Sequence, residues 1–290
     1  MRIVAENLTF TYNKKSKFAV DAVKDVSLTI EEGSFFGIIG HTGSGKSTFI
    51  QHLNGLIPVE SGSLIVGDIN LSGKLKEVKK RYKELRAKVG MVFQYPEYQL
   101  FAETVFEDVA FGYRNFFPEA TEDEVKRAVF GALSLLGLGA EYLDKSPLDL
   151  SGGQKRRVAI AGVLVSNPEV LVLDEPVAGL DPAGKNELMA LLHKLHDSGR
   201  VKTIVIVSHD MDEVCENCTD VAVFSEGQIV FKGKPEEVFK NVEKMNELRL
   251  GVPVTSYLAN ELEKIGVKID TDFSREDFVE KVVKYYKNNK

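Results

Sequence analysis

The sequence predicts an α/β protein with a mainly parallel sheet, an N-terminal antiparallel β-subdomain, a helical insertion and a small C-terminal helical domain. Three observations predict this class: alternating apolar strands early in the chain, three later runs that are apolar at nearly every position, and segments with a 3.6-residue apolar period. The 290 residues are 43% hydrophobic and 28% charged, which is typical of a folded globular protein with a large core.

The first strands alternate apolar and polar residues. Val26, Leu28 and Ile30 show this period, as do Leu64 and Val66, and the glycine turns "EEGS" and "VESGS" stand beside them. A period of two predicts antiparallel strands with one solvated face.

Three later runs have no polar face. They are "SFFGIIG" (34–40), "EVLVLDE" (169–175) and "KTIVIVSHD" (202–210). Such runs are typical of parallel strands that helices cover on both sides.

Helices are predicted between and after these strands. Residues about 95–165 form a helical insertion containing "TVFEDVAFGYRN" and "TEDEVKRAVFGALSLLG". Beyond residue 235, "PEEVFKNVEKMNEL", "TSYLANELEKIG" and "SREDFVEKVVKYYKNNK" each predict an amphipathic helix. We therefore expect a main domain at 1–235 and a small C-terminal helical domain at 236–290. One helix of the insertion has an apolar face formed by Val125, Val129, Ala132, Leu133 and Leu136.

Composition argues against several functional classes. A net charge of −6 gives no electrostatic footprint for duplex DNA, and no apolar run approaches the ~20 residues of a membrane span. The first ten residues lack the apolar core of a signal peptide. Cys215 and Cys218 form a C-x-x-C pattern, but without a second pair the sequence favours small buried helix residues over a redox or zinc site.

A glycine-rich loop follows the first apolar run. "GHTGSGKS" fits the phosphate-loop pattern through Gly40, Gly45, Lys46 and Ser47, and a helix-like segment follows it. Glycines let the backbone curl around phosphates, the lysine ammonium binds the β- and γ-phosphates, and the serine hydroxyl binds magnesium. The core is therefore predicted to be that of a P-loop nucleoside triphosphatase. Candidate nucleotide contacts are Gly40, His41, Thr42, Gly43, Ser44, Gly45, Lys46, Ser47 and Thr48.

Two carboxylates end the second apolar run. Asp174 and Glu175 stand where ligands bind in α/β sheets, and a solvated turn does not explain why a buried strand delivers them. We expect Asp174 to hold magnesium and Glu175 to act as general base on the attacking water.

A second potential phosphate-binding end occurs in "LSGGQKRR" (150–157). Ser151 can cap a helix start, and Gly152 and Gly153 permit close backbone approach to an anion at the positive end of the helix dipole. The alternative is a flexible turn.

The order of these motifs resembles that of ATP-binding cassette (ABC) ATPases. "LSGGQ" stands before "LVLDEP", Gln94 lies in "MVFQYPEYQLF" and His209 in "IVSHD", and the resemblance covers residues 1 to about 235. It implies ATP and Mg²⁺ as ligands and a head-to-tail pair of subunits in which the signature residues Ser151 to Gln154 cap the partner's ATP.

The family resemblance also implies individual roles. Tyr12 stacks on adenine, for which the alternative is an ordinary strand tyrosine. Gln94 senses magnesium and the attacking water, His209 contacts the γ-phosphate, and Asp181 lies at the subunit boundary. With Lys46 and Glu175, Gln94 and His209 complete the expected catalytic set.

Within that family the chain is most similar to ATPases of energy-coupling-factor and cobalt-type importers. "QYPEYQLF", "ETVFEDVAFG" and the helical C-terminal extension carry this resemblance. It implies transport of vitamins or transition-metal ions at the cytoplasmic face of the cell membrane. The implied partners are a second ABC ATPase, either a paralogue or a copy of this chain, and a transmembrane coupling protein that contacts a substrate-binding membrane protein.

The insertion would then dock the membrane partner. The apolar cluster Tyr95, Tyr98, Leu100 and Phe101 is the candidate groove, and the alternative is insertion core. Two other functions remain open: a soluble ABC ATPase acting on nucleic acid or ribosomes, and an ATP-dependent regulatory dimer. Neither coiled coils nor tandem cassettes are evident, and only "KVVKYYKNNK" is mildly basic, so we expect no nucleic-acid partner.

Overall fold

Two β-sheets organise the protein, whose computed structural model describes residues 1–288. The strands in that range are β1 (Ile3–Tyr12), β2 (Val20–Ile30), β3 (Phe35–Gly40), β4 (Ser61–Val66), β5 (Ile69–Asn70), β6 (Val89–Val92), β7 (Val170–Asp174), β8 (Thr203–Val207), β9 (Asp220–Ser225) and β10 (Gln228–Gly233). The smaller sheet has the order β2-β1-β4-β5 and is antiparallel. Its predicted inward residues, Val26, Leu28, Ile30, Leu64 and Val66, are all buried.

The larger sheet has the order β10-β9-β3-β8-β7-β6. Its strands run parallel except for the edge strand β10, which pairs antiparallel with β9. The three predicted parallel strands are β3, β7 and β8, and every residue of β3 and β8 is buried. The predicted mainly parallel α/β class is confirmed, although the sequence interpretation had not identified β6 and β9 as further parallel strands.

Twelve α-helices surround the sheets in residues 1–288. They are α1 (Lys46–Leu53), α2 (Leu75–Lys80), α3 (Tyr82–Lys88), α4 (Val105–Phe116), α5 (Glu122–Leu135), α6 (Gly152–Leu164), α7 (Pro182–Asp197), α8 (Met211–Asn217), α9 (Pro235–Phe239), α10 (Val242–Glu247), α11 (Val254–Lys264) and α12 (Arg275–Asn288). Among these described helices, none combines the length and apolarity needed to cross a bilayer.

The insertion contains α4, α5 and α6, as its 3.6-residue period predicts. The apolar face of α5 is buried at all five predicted positions. Thr121 caps this helix: its side chain accepts a hydrogen bond from the Glu124 backbone N–H, and the Glu124 carboxylate accepts one from the Thr121 backbone N–H.

The C-terminal helices differ in one respect from the prediction. The segment predicted as one helix, "PEEVFKNVEKMNEL", forms two short helices, α9 and α10, because Asn241 caps a new helix through the Lys244 backbone N–H. Phe239, Phe273 and Phe278 belong to the same continuous hydrophobic core as the large sheet. Residues 289 and 290, at the end of the last predicted helix and of the 236–290 domain, lie outside the described residues.

Candidate nucleotide-binding and hydrolysis site

The phosphate loop connects β3 to α1 as predicted. Gly45 caps α1 with φ 102°, a left-handed conformation, and a Cβ at this position would overlap the Ala22 carbonyl. Only glycine satisfies both requirements without displacing the backbone. The Gly227 N–H donates to the Ser44 carbonyl at 3.0 Å, and the Lys24 N–H donates to the Gly227 carbonyl at 2.8 Å. The first bond connects the phosphate loop to the β9–β10 turn, and the second connects that turn to β2.

Lys46 is buried inside this loop. Its Nζ donates to the carbonyls of Gly40 at 2.7 Å and His41 at 2.9 Å. Burial lowers the pKa of Lys46, and the nearby carboxylates of Glu175 and Asp174 oppose that shift. The Lys46 ammonium is therefore held within the loop by two of the loop's own carbonyls.

Glu175 leaves the end of β7 by a left-handed turn with φ 49°. A non-glycine residue rarely adopts this conformation, and the bond from its N–H to the Val207 carbonyl at 2.9 Å holds it there. Gln94 Nε2 donates to Glu175 Oε2 at 2.6 Å, and His209 Nδ1 lies 3.4 Å from Glu175 Oε1. Gln94 and His209, which were predicted from separate motifs, thus both lie next to the Glu175 carboxylate.

Asp174 is the last residue of β7 and lies close to the phosphate loop. Burial raises the pKa of Asp174, while a hydrogen bond from Ser47 opposes the rise. A carboxylate beside a hydroxyl provides the hard oxygen ligands that suit Mg²⁺, which is usually held by few protein ligands and by substrate phosphates. No cluster of three or more His, Cys, Asp or Glu that could hold a metal occurs in residues 1–288. The Ser47 hydroxyl and the Asp174 carboxylate fit an ion that ATP brings with it.

A cavity of about 410 Å³ lies over the phosphate loop. Its volume falls in the usual range of small-molecule sites. Its lining combines predicted site residues with a segment of the C-terminal part that the sequence interpretation missed: Gly40, His41, Thr42, Lys46, Glu175, His209, Met211, Arg249, Leu250 and Gly251.

Tyr12 stands at the end of β1 near the phosphate loop. Its hydroxyl and Thr48 Oγ1 are 3.3 Å apart and share a hydrogen bond, and its ring meets Phe10 edge-on at 4.9 Å. The side chain is 39% exposed. Because the hydrogen bond with Thr48 holds the Tyr12 hydroxyl and the side chain is still exposed to solvent, the ring is suitable for stacking on a base.

The signature residues lie at the start of α6 and line no part of that cavity. The Gln154 N–H donates to Ser151 Oγ at 3.3 Å, and the Ser151 N–H donates to Gln154 Oε1 at 3.0 Å, which forms a reciprocal capping box. This geometry shows a capped helix start and contradicts the flexible-turn alternative. A Cβ on Gly152 or Gly153 would meet no atom within 4 Å. The fold of this chain alone therefore does not require glycine at either position.

Arg156, in the same motif, was missed as a structural residue. It is 4% exposed, and its guanidinium forms a two-pronged pair with Glu97 at 3.0 and 2.8 Å. It also donates to the carbonyls of Pro176 at 3.0 Å and Ala178 at 2.9 Å. One side chain thus links the signature helix, the segment after Gln94 and the segment after Glu175. The only sequence signal was a pair of arginines following "SGGQK".

The apolar cluster near Gln94 is largely on the surface. Tyr98 is 84% exposed and Phe101 is 68% exposed, so insertion core is the wrong interpretation for these two side chains. Leu100 is only partly buried and packs against the core. Phe101 contacts Phe111 edge-on, and both line an open groove of about 390 Å³.

Three other residues considered in the sequence analysis have structural contacts or are buried in this fold. Asp181 caps α7, since its Oδ1 accepts from the Gly184 N–H at 2.7 Å. Cys215 and Cys218 are both buried, as the sequence favours, although Cys218 stands just beyond the end of α8. Burial raises the pKa of the Cys215 thiol to about 12, so it stays protonated and unreactive at neutral pH.

Comparison with known proteins places this arrangement in a family. The model of the ABC transporter family matches residues 23–178, which include the phosphate loop, Gln94, the signature and both carboxylates. The chain belongs to the ABC transporter family. It is therefore an ATP-binding ABC-type ATPase, and the predicted resemblance to that family is confirmed.

Full-length relatives refine this assignment. The protein is 45% identical to "Energy-coupling factor transporter ATP-binding protein EcfA2" of Caldanaerobacter subterraneus subsp. tengcongensis over 100% of this chain and 99% of the relative. The protein of that name from Clostridium perfringens is 46% identical over 100% of both chains. This ABC ATPase thus groups with energy-coupling-factor ATP-binding proteins, as its motifs predict.

Solved structures agree with the fold. A structure of cbiO1 from Clostridium perfringens, described as part of the ABC transporter complex cbiONQ, is 38% identical and has a TM-score of 0.73 over 89% of this chain and 98% of that chain. The ATP-binding cassette MJ0796, in a dimeric post-hydrolysis structure bound to ADP and Pi, is 30% identical, with a TM-score of 0.70 over 80% and 98%. Both likenesses extend the ABC ATPase fold beyond the family-model match.

Proposed function

We propose that this ABC ATPase is the ATP-hydrolysing motor subunit of an energy-coupling-factor importer, with Glu175 as the general base. One observation carries the catalytic assignment: the Glu175 carboxylate is fixed at the wall of the cavity over the phosphate loop, with Gln94 and His209 on its two oxygens. The names of the full-length relatives support the transport assignment. They favour it over the alternative of a soluble ABC ATPase acting on nucleic acid or ribosomes.

This geometry supports the following hydrolysis mechanism. Lys46 and the loop N–H groups hold the phosphates. A water between Glu175 and the γ-phosphorus attacks in line while Glu175 accepts its proton. The bond from the γ-phosphorus to the bridging oxygen breaks, so ADP leaves and inorganic phosphate forms. Gln94 orients the carboxylate and the water, and His209 stabilises charge on the γ-phosphate oxygens. Ser47, Asp174 and Gln94 would hold Mg²⁺, which would neutralise phosphate charge when bound with ATP.

The signature end of α6 is proposed to complete the site of a second ABC ATPase subunit, which is either a paralogue or a copy of this chain. A Cβ on either glycine would meet no atom within 4 Å, and the N-terminus of a 13-residue helix attracts anions. The dimeric MJ0796 structure supports such a pairing. ATP then joins two subunits, and hydrolysis releases them.

Gly153→Ala tests this role. Because no atom of this chain lies near the added methyl group, we expect the free energy of unfolding to stay constant or rise by up to about 1 kcal/mol. ATP turnover of the assembled transporter should fall at least about tenfold, since a partner-bound phosphate loses its close approach. Steady-state phosphate release and thermal unfolding measure the two effects.

Gly131→Ala is the matched control, because Gly131 also lies in a helix and an added Cβ there meets nothing within 4 Å. It should leave turnover unchanged. Normal turnover of the Gly153 variant would contradict the proposed capping of a partner's ATP.

Tyr12 is proposed to stack on the adenine ring. Removing the ring through Tyr12→Ala should weaken ATP binding by about 1–3 kcal/mol, which is the usual value of one aromatic–base stack. Tyr12→Phe keeps the ring and loses only the bond to Thr48, so its ATP affinity should stay within about threefold of the original protein. Titration calorimetry compares the two variants, and equal affinities for both would assign Tyr12 to the strand alone.

The insertion is proposed to transmit the motion. The exposed aromatic groove formed by Phe101 and Phe111, with Tyr98 nearby, is the proposed contact for the transmembrane coupling protein, and through it for a substrate-binding membrane protein. We place the subunit peripherally at the cytoplasmic face of the cell membrane. We also propose the division into 1–235, with the insertion at about 95–165, and 236–290.

Co-purification tests this assembly. The chain extracted from its host in mild detergent should carry a second ABC ATPase and a membrane-spanning protein. Phe101→Glu should release the membrane protein and leave the ATPase pair intact. Retention of all partners by this variant would contradict the groove assignment.

A further inference from the structure

Arg249 has an unusual backbone conformation at the end of α10. The Leu250 N–H donates to the Met245 carbonyl, and the Arg249 N–H donates to the Asn246 carbonyl, both at 2.9 Å. This pattern is a Schellman motif, whose left-handed position is usually glycine. Arg249 occupies that position with φ 57°. An arginine here costs stability relative to glycine, and such local strain often accompanies a functional role.

Neighbouring contacts fix this segment in place. Leu250 is buried in the main core together with Met245. The Val254 N–H donates to Asp212 Oδ1 at 3.0 Å, which ties the segment to α8, the helix that begins just after His209. The position of Arg249 is therefore set by the core and by the His209 loop.

Arg249 is part of the lining of the nucleotide cavity. It lines that cavity together with His41, Lys46, Glu175 and His209. Within residues 1–288 the Arg249 guanidinium makes no hydrogen bond or ion pair. A guanidinium presents up to five donors in a planar fork that matches phosphate oxygens. Its neighbours in the cavity are those proposed to surround the γ-phosphate.

We propose that Arg249 binds the terminal phosphate of ATP and so couples the C-terminal segment to the presence of that phosphate. This inference rests on the proposed function of the site and adds a residue from outside the ABC family-model match. When ATP is bound, the fork donates to γ-phosphate oxygens. Loss of that phosphate removes the contact and leaves the segment with its packing against the core and the Asp212 bond.

Nucleotide binding by the full-length chain tests the proposal. Arg249→Gly removes the guanidinium and also relieves the left-handed strain, so thermal stability should stay constant or rise. We expect MgATP affinity to fall about tenfold, the usual weight of a charge-assisted hydrogen bond, and MgADP affinity to change less than about twofold. Arg249→Lys should retain an intermediate MgATP affinity. Titration calorimetry with the two nucleotides gives both values.

Arg200→Ala is the control, because Arg200 is another exposed arginine and precedes β8 at the end of the sheet opposite the site. It should leave both affinities unchanged. Unchanged MgATP affinity in Arg249→Gly would overturn the proposal, and so would equal losses for MgATP and MgADP. This test measures nucleotide affinity, so it can fail while the hydrolysis mechanism stands. Failure of the hydrolysis mechanism would instead appear as near-normal ATP turnover in a Glu175 variant.

Discussion

Glu175→Gln is expected to reduce ATP hydrolysis at least about 100-fold while ATP still binds, since a general base typically contributes 10²–10⁴-fold. The glutamine amide keeps the shape of the side chain, and its oxygen can still accept from Gln94 Nε2. It cannot accept a proton from water. ATP should therefore stay intact in the site and hold the two subunits closed. Phosphate release and the nucleotide content of the purified complex measure these effects.

Glu169→Gln is the matched control for this variant. Glu169 immediately precedes β7, at the opposite end of the strand from Glu175, and pairs with Lys202 at 3.0 Å. Its turnover should equal that of the original protein. Near-normal hydrolysis by Glu175→Gln would contradict the general-base assignment.

Arg156→Ala is expected to lower the free energy of unfolding by about 3–5 kcal/mol, the usual cost of removing one partner from a buried ion pair. The substitution leaves the partly buried Glu97 carboxylate and the Pro176 and Ala178 carbonyls without their donor. The neighbouring Arg157→Ala breaks only an exposed pair with Glu187, so its expected effect is below about 1 kcal/mol. Chemical denaturation of the two variants compares adjacent arginines of the same helix.

The second partner supplies a further check. Glu97→Gln removes the charge but leaves an acceptor oxygen, so its effect should be smaller than that of Arg156→Ala. The double variant should lose less than the sum of the single losses, because the two residues are in direct contact. Equal small losses for Arg156→Ala and Arg157→Ala would contradict the structural role of Arg156.

The sequence predicted those parts of the site whose chemistry is local. The phosphate loop needs glycines, lysine and serine in fixed spacing, and Asp174 and Glu175 follow a buried strand directly. Parallel strands deliver their C-terminal ends to one edge, so Glu175 after β7 and His209 after β8 meet there. Gln94 follows β6 at the same edge, where β6 pairs with β7.

The parts that were not predicted depend on tertiary contacts. Arg156 and Glu97 are 59 positions apart, and nothing local distinguishes Arg156 from the exposed Arg157. Strand β6 has only four residues, "VGMV", which is too short for a period to be recognised. Arg249 reaches the cavity because Leu250 packs in the core and the Asp212 bond orients the chain. Neither contact can be recognised from a local sequence pattern.

Native mass spectrometry of the Glu175→Gln complex, purified from its host with MgATP, tests the central claim most directly. If the signature end of one subunit completes the ATP site of another, one particle should contain two ABC ATPase subunits, bound ATP and a membrane-spanning partner. The measured masses identify the second ATPase as a copy of this chain or as a paralogue. Adding Gly153→Ala should lower the share of particles that retain ATP. A particle that retains ATP with this chain as its single ATPase subunit would contradict the account.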